Sequence, residues 1–265
     1  MKKKIRISIL IANYNNERFL ARSIISCLKQ NFKKKFEVIL IDDNSTDNSL
    51  KIANKFKKDI RIFKTTKKKN ILKFNTYYQL NTYYQGIIKA KGEIICFLDS
   101  DDYFKKNKLS EIDKRFSINE KTNLVFDRPF FLDVKYKYLK NNDIYSFREN
   151  IWPKFPPQSC ISAKKKILIK YINLLFKRKF PMTTLDFRLA ALADCNRKNS
   201  FFINKNLTIY FQHDKNESSK LFKKFSRNWF KRRNEAYLYY LLINKKKYFT
   251  LDYLVTRFVN YFFLA

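Results

Sequence analysis

Only two glycines, Gly86 and Gly92, occur in 265 residues. That scarcity leaves no G-x-G-x-x-G and no G-K-S/T loop, so dinucleotide-type and P-loop nucleotide binding are unsupported. A single histidine, His213, excludes any multi-histidine metal centre. The four cysteines, Cys27, Cys96, Cys160 and Cys195, stand far apart with no C-x-x-C and no metal spacing. Buried thiols in a reducing compartment are the expectation. No stretch of about 20 uncharged apolar residues is present, so no spanning helix is expected. The start, Lys2–Lys4 followed by Ile5–Ala12, has the outline of a signal peptide, but Arg6 interrupts it and no small-residue cleavage site follows. It reads instead as a buried first strand.

Negative charge is scarce as well. Fifty-seven Lys and Arg face 23 Asp and Glu, a net charge of +34. Such an excess attracts anionic partners: nucleic acid, an acidic membrane surface or a phosphorylated substrate. It also suits a merely solvated surface. The lysine runs are spread along the chain, from Lys2–Lys4 and Lys33–Lys35 to Lys164–Lys166 and Lys245–Lys247. That spread indicates a bias of the whole chain more than one face that reads nucleic acid. Hydrophobic residues make up 45%, ample for the core of one large domain or one domain with an appendage.

What is present is organised around Ile94-Ile95-Cys96-Phe97-Leu98-Asp99-Ser100-Asp101-Asp102. An apolar run of strand length delivers three carboxylates at its end, as open α/β sheets build sites. Two carboxylates one residue apart can share a hard divalent cation. Taken alone, the same pattern also fits a solvated acidic loop. Two further runs share its form. Ile5–Ile11 ends in the polar turn Ala12–Asn16, and Phe36–Ile41 ends in Asp42–Asp47. Between them, Leu20, Ile24, Cys27 and Leu28 mark one apolar helix face. Ser45 or Asn44 is expected to cap a second helix whose core face holds Leu50, Ala53 and Phe56. Ile60–Phe63 reads as a short strand. A local duplication, Asn75–Gln79 and Asn81–Gln85, reads as helix, and Gly92 fits a helix C-cap with positive φ. Right-handed crossovers would place the three polar strand ends on one sheet edge, where a nucleotide-containing ligand could lie.

These segments resemble family 2 glycosyltransferases of the GT-A fold. The matching pieces are Ser8–Glu17, Phe36–Asp47, and Ala90–Glu93 leading to Leu98–Asp102, in the family's order over roughly residues 5–110. Asn44 stands where the family often has glycine. Tyr84 stands where it often has asparagine, two residues before the glycine matching Gly86. The resemblance implies an α/β GT-A fold: a Rossmann-like, mostly parallel central sheet flanked by helices. It implies a nucleotide-diphosphate sugar donor, often a UDP sugar, with Mn2+ or Mg2+ as cofactor. Carried over residue by residue, Ala12, Tyr14 and Glu17 lie by the base and Asp43 accepts from a base N–H. Asp99 and Ser100 lie by the donor. Asp101 is the direct metal ligand, with Asp99 and His213 sharing that role. Asp102 is left open between this site and a helix N-terminus.

All five prolines fall between 129 and 181, marking an irregular acceptor-side half. Strands are expected at Leu124–Val134, Ser159–Ser162 and Leu207–Phe211, and a helix at Lys165–Phe176. Trp152–Pro157 reads as a rigid aromatic segment, packed in the core or bordering the acceptor. In the family, an aspartate at a helix start serves as base. Thr183-Thr184-Leu185-Asp186 has that form and makes Asp186 the candidate, with Asp194 second. The competing reading is that Asp186 only complements the helix dipole.

The expected organisation is residues 1–214 as catalytic domain, with 1–115 for the donor and 116–214 for the acceptor, then 215–265 as a basic amphipathic helical tail. The tail either rests on an anionic membrane or packs on the domain. The expected partners are the donor and a glycan or lipid-linked acceptor of bacterial surface polysaccharide or lipopolysaccharide, without specific nucleic acid. The expected location is cytoplasmic, at the inner face of the membrane; an oligomer is open. Two rival readings are a basic nucleic-acid-binding protein and a sugar-nucleotide-binding member without turnover.

Overall fold

β1 (Ile7–Asn13) is buried at every position, as its unbroken apolar sequence requires. It lies between β2 (Phe36–Asp42) and β4 (Ile94–Asp99) and is parallel to both. Ala12 stands level with Ile41 on one side and Asp99 on the other. The three polar strand ends therefore share one rim, as expected from the sequence.

The computed structural model describes residues 4–66, 75–139, 154–213, 222–244 and 250–263. Lys67–Lys69, Trp152, Pro153, Asp214, Lys220 and Lys245–Lys247 lie outside the described residues. Eight strands form one mixed, mostly parallel sheet of order β3-β2-β1-β4-β7-β6-β8-β5. The remaining strands are β3 (Arg61–Lys64), β5 (Tyr103–Phe104), β6 (Leu124–Leu132), β7 (Ile161–Lys164) and β8 (Ser200–Phe211). β7 enters antiparallel to β4 and joins the acidic half to the proline-bearing half.

Alternation along β1 divides the core. Ile7, Ile9 and Ile11 pack with α1 (Glu17–Leu28), α2 (Ser49–Asn54) and α4 (Lys108–Ile118). Leu10 and Ala12 face α3 (Asn75–Lys89), α5 (Lys165–Lys170), α6 (Ile172–Leu175) and α7 (Leu185–Cys195). Two C-terminal helices follow, α8 (Arg227–Asn244) and α9 (Leu251–Phe263). Ala236, Tyr237, Tyr239 and Tyr240 of α8 share a core with Phe180, Phe187 and Ala191. This part of the extension is packed against the domain.

Several local expectations are corrected. No glycine has positive φ. Gly92 is required for another reason: a Cβ there would meet the Ser8 nitrogen at 2.5 Å and the Ile7 carbonyl carbon at 2.6 Å. α2 begins at Ser49, beyond Asn44 and Ser45, and its N-cap Asn48 makes no side-chain cap bond. Instead Asn44 takes φ 59 and Asn15 φ 47, the left-handed region that asparagine tolerates. The expected helix 165–176 is two short helices, and Gln158–Cys160 is a 3-10 turn ahead of β7.

Below the rim lies a charged group that no pattern announced. Lys108 of α4 and Asp127 of β6 are fully buried and ion-paired. Lys108 Nζ also donates to Thr208 Oγ1 at 3.1 Å, and that hydroxyl donates to Asp127 Oδ2 at 2.9 Å. Burial pushes the Asp127 carboxyl up, and the Lys108 ammonium opposes that shift. The pair ties α4, β6 and β8 beneath the acids. Breaking a buried pair strands a charge and costs about 3–5 kcal/mol, whereas an apolar replacement of both partners is often neutral. Lys108→Met should therefore lower unfolding free energy by that amount in urea titration. The double variant Lys108→Met/Asp127→Leu should recover most of the loss.

Candidate active site

The rim is assembled from asparagine and serine hydroxyl bonds before any catalytic group enters. Asn13 Nδ2 donates to Asp42 Oδ1 at 2.8 Å, and the Ser45 N–H donates to Asp42 Oδ2 at 2.9 Å. Asn15 Oδ1 accepts the Thr46 N–H at 2.7 Å. Asp42 is spent on holding the turns. Its neighbour Asp43 accepts the Thr65 hydroxyl at 2.5 Å. Burial raises the Asp43 carboxyl, Thr65 draws it back, and Asp42 adds to the rise. Tyr14, 55% exposed, stands at the open edge beside buried Ala12. Glu17 faces the same loop, where its carboxylate accepts the Asn48 backbone and side-chain N–H groups, both at 2.8 Å. Ser100 is buried and accepts from Asn16 Nδ2 at 2.9 Å, tying the β4 turn to the β1 turn.

Asp99 ends β4. Its Oδ1 accepts Tyr83 Oη–H at 2.7 Å and Gln79 Nε2–H at 2.9 Å. Gln79 and Tyr83 are four residues apart on α3 and so share a helix face. Sequence reasoning passed over both, although the spacing was visible inside the duplication. Burial pushes Asp99 up to about 7, the nearby Asp101 charge adds to this, and the Tyr83 hydroxyl offsets part.

Asp101 meets His213 across the site: Oδ2 lies 3.0 Å from Nε2. The ring of His213 lies tilted against Phe19, with centroids 4.8 Å apart. Arg22, another residue the sequence did not single out, donates to the Asp101 carbonyl at 2.8 Å and lies over the Phe211 ring at 4.2 Å. β4 and β8 thus present Asp101 and His213 together although 112 residues separate them. Asp102 takes neither role left open for it. Its carboxylate is buried, accepting the Ser159 hydroxyl at 2.5 Å and the Phe211 N–H at 2.9 Å. It fastens β8 to the acidic turn, and burial with Asp101 and Asp99 nearby holds it well above the usual carboxylate range.

Asp186 sits in the first turn of α7, after N-cap Thr184. Its Oδ1 accepts the Phe187 N–H at 2.7 Å. Burial raises its carboxyl, and the Thr184 hydroxyl, the Phe187 N–H and the Arg232 guanidinium draw it back. Its charge adds to the rise of the Asp99 carboxyl. Burial and then the charges of Asp102, Asp101, Asp99 and Asp186 push the Tyr210 phenol far up. Asp194 lies eight residues on, about 12 Å along the helix. It is held by Tyr240 and by Arg197 Nε at 2.8 Å.

Among the described residues, no three His, Cys, Asp or Glu side chains form a ready-made cage for an ion. The donor set fits a different kind of site. One carboxylate and one imidazole would occupy two positions of an octahedral ion and leave the rest for water and phosphate oxygens, as Mg2+ and Mn2+ favour. A cation there would also relieve the repulsion among Asp99, Asp101 and Asp102.

A sequence model of glycosyl transferase family 2 matches residues 8–180. An uncharacterized glycosyltransferase of Rickettsia bellii is 34% identical over 165 residues, covering 62% of this chain and 22% of the relative. The poly(ribitol-phosphate) beta-N-acetylglucosaminyltransferase TarS of Staphylococcus aureus is 32% identical over 107 residues, 40% of this chain and 18% of that protein. The matched stretches thus span only a minor part of these relatives' length. The crystal structure of TarS 1-349 in complex with UDP-GlcNAc superposes with TM-score 0.63 at 16% identity, covering 96% of this chain and 73% of that one. The mannosyltransferase PcManGT of Pyrobaculum calidifontis, in complex with GDP-Man and Mn2+, gives TM-score 0.55 at 13% identity, covering 99% and 71%. The fold is that of these GT-A structures.

Proposed function

This chain belongs to glycosyl transferase family 2, and on that premise we propose that it transfers a sugar, with inversion, from a nucleoside-diphosphate donor to an acceptor hydroxyl. The observation that carries the reading is the meeting of Asp101 and His213, from the ends of β4 and β8, beside Asp99 at the rim shared with β1 and β2. A UDP sugar is the favoured donor, supported by the UDP-GlcNAc complex of TarS. Residues 1–115 take the donor, 116–214 form the acceptor side, and 215–265 are an extension of that side.

The roles follow from chemistry. Exposed Tyr14 stacks on the base and Asp43, an acceptor-only group when ionised, takes its N–H. Asp101 and His213, with Asp99 behind them, would hold Mn2+ or Mg2+. Such an ion, when bound, would offset the charge developing on the departing diphosphate. Asp186 takes the proton of the acceptor hydroxyl. The freed oxygen bonds to the anomeric carbon from the face opposite the leaving group. The carbon–oxygen bond to diphosphate breaks, its electron pair leaves with the diphosphate, and configuration inverts. Tyr83 and Gln79 keep Asp99 aimed at the site.

The acceptor is a glycan or a lipid-linked chain of a surface polysaccharide. Peripheral binding to an anionic membrane is supported by α9, on which Leu251, Leu254, Val255, Phe258 and Phe262 stand exposed at helical spacing, together with the net charge of +34. A nucleic-acid reading gains nothing from a rim of carboxylates, which repels phosphate unless an ion intervenes.

Two outcomes follow. Asp186→Asn should keep nucleotide affinity within about twofold while turnover falls by about 10²–10⁴, the usual contribution of a positioned base; wild-type turnover would remove Asp186 from that role. In sedimentation with phosphatidylglycerol vesicles the protein should pellet, and Leu254→Asp/Phe258→Asp should abolish this. Equal pelleting of the variant would remove α9 from the contact.

A further inference from the structure

Asp101 and His213 reach each other from distant segments, so their spacing has to be fixed by what packs around them. Asp101 stands in the turn after β4, and His213 lies two residues beyond the end of β8. The Phe211 N–H is tied to Asp102, and the Gln212 N–H donates to the Leu132 carbonyl at 2.7 Å. Those bonds fix the end of β8. The side chain that reaches the supports of both ligands is Arg22 of α1. Its Nη2 donates to the Asp101 carbonyl at 2.8 Å. Its guanidinium carbon lies 4.2 Å from the centre of the Phe211 ring and 4.5 Å from that of Tyr103. Phe19, one turn earlier on the same helix face, meets the His213 ring at 4.8 Å and the Phe211 ring at 5.2 Å. The guanidinium also lies over Phe19 at 5.5 Å. Tyr103 belongs to β5, which pairs with β8 through Ile209. One face of α1 thus grips both the Asp101 turn and the approach to His213.

The residue type suits the task. A guanidinium is planar, stays charged, and stacks on rings while its edge donates. Here Nη1 reaches the Tyr136 hydroxyl at 3.2 Å, and Nε is buried with no hydrogen-bond partner among the described residues. Leaving that N–H unbonded costs free energy, yet the surrounding rings keep the guanidinium in place. A positive charge beside an ion site opposes the ion. Arg22 therefore cannot favour a divalent ion through its charge. What it offers is geometry: ligands already at their spacing spare the ordering cost that an incoming ion would otherwise meet.

We propose that Arg22 is a positioning residue of this rim: through the Asp101 carbonyl and the Phe211 ring it holds Asp101 and His213 at ligand spacing before an ion arrives. The inference rests on Asp101 and His213 being the ligands of that ion. It gives α1 a task beyond covering Ile7, Ile9 and Ile11.

His213 is the one histidine in the sequence, so the imidazole of the untagged full chain gives a single set of NMR signals. In the ion-free wild type these should show Overhauser contacts to the Phe19 ring, and Arg22→Gln should lose them. Titration with Mn2+ at saturating UDP should show the ion weakened by about 10–100-fold in Arg22→Gln, the usual effect of losing an outer-sphere support. UDP affinity without the ion should stay within about twofold, since the base is held by Tyr14 and Asp43. Arg22→Lys keeps the charge but loses the plane, and should act in the same direction. It carries the test if the glutamine variant does not fold. Arg115→Gln removes a guanidinium that lies 3.6 Å from the Phe201 ring, at the opposite end of β8. That control should keep the Overhauser contacts and change Mn2+ affinity by less than about twofold. Retained contacts in either Arg22 variant, or Mn2+ affinity unchanged or tightened, as removal of a repelling charge alone would give, would overturn the proposal. So would an equal loss in Arg115→Gln. Failure of the wild type to take Mn2+ with UDP would sink the ion reading, while the ion-free signals still decide whether Arg22 fixes His213.

Discussion

Several carboxylates are held close together where water has been thinned out, and the rest of the structure answers that constraint. Asp99, Asp101 and Asp102 leave one strand end, and the charge of Asp186, in the first turn of α7, adds to the rise of Asp99. Like charges in a poorly solvated space repel strongly, so each needs donors or protonation. Asp102 receives Ser159 and the Phe211 N–H, and Asp99 receives Tyr83 and Gln79. Among the described residues, the Asp101 carboxylate meets His213 in the site itself. The buried Lys108–Asp127 pair, with Thr208, ties α4, β6 and β8 together beneath this rim.

How much of this the sequence discloses depends on range. The parallel strands β1, β2 and β4 were legible because burial on both faces writes an unbroken apolar run that stops at polar residues. Asp43, Asp99, Asp101 and Asp186 were legible as acids at strand ends or at a helix start. Long-range partners were not. Nothing in the local pattern of Lys108 tells that Asp127 will meet it, and Arg22 reads as an ordinary exposed helix residue until Phe211 and Asp101 close over it. Gly92 was assigned the wrong reason, because a close approach by the Ser8 backbone leaves no trace in the adjacent residues. Asp102 was ambiguous since its partners, Ser159 and Phe211, come from distant segments.

The C-terminal extension divides between two tasks. α8 spends its tyrosines on α7 and so braces the helix that carries Asp186. Its basic and aromatic composition left open a membrane-bound tail or a helix packed on the domain; in α8, Glu235, Tyr239 and Tyr240 make specific contacts with 182–194, the packed alternative. α9 keeps its apolar stripe outward, with Leu251 at 79% exposure. α7 is thereby braced by a segment that, like α7 itself, lies outside the matched residues 8–180.

The central claim is that the acids at this rim grip a diphosphate through a divalent ion. Calorimetry of UDP binding to the full chain, with and without Mn2+, tests it most directly. The account predicts that Mn2+ tightens UDP by at least about tenfold, and that Asp101→Ala removes this gain, because loss of a ligand costs as much or more than loss of an outer-sphere support. Equal UDP affinity with and without the ion, or a full Mn2+ effect in Asp101→Ala, would contradict it.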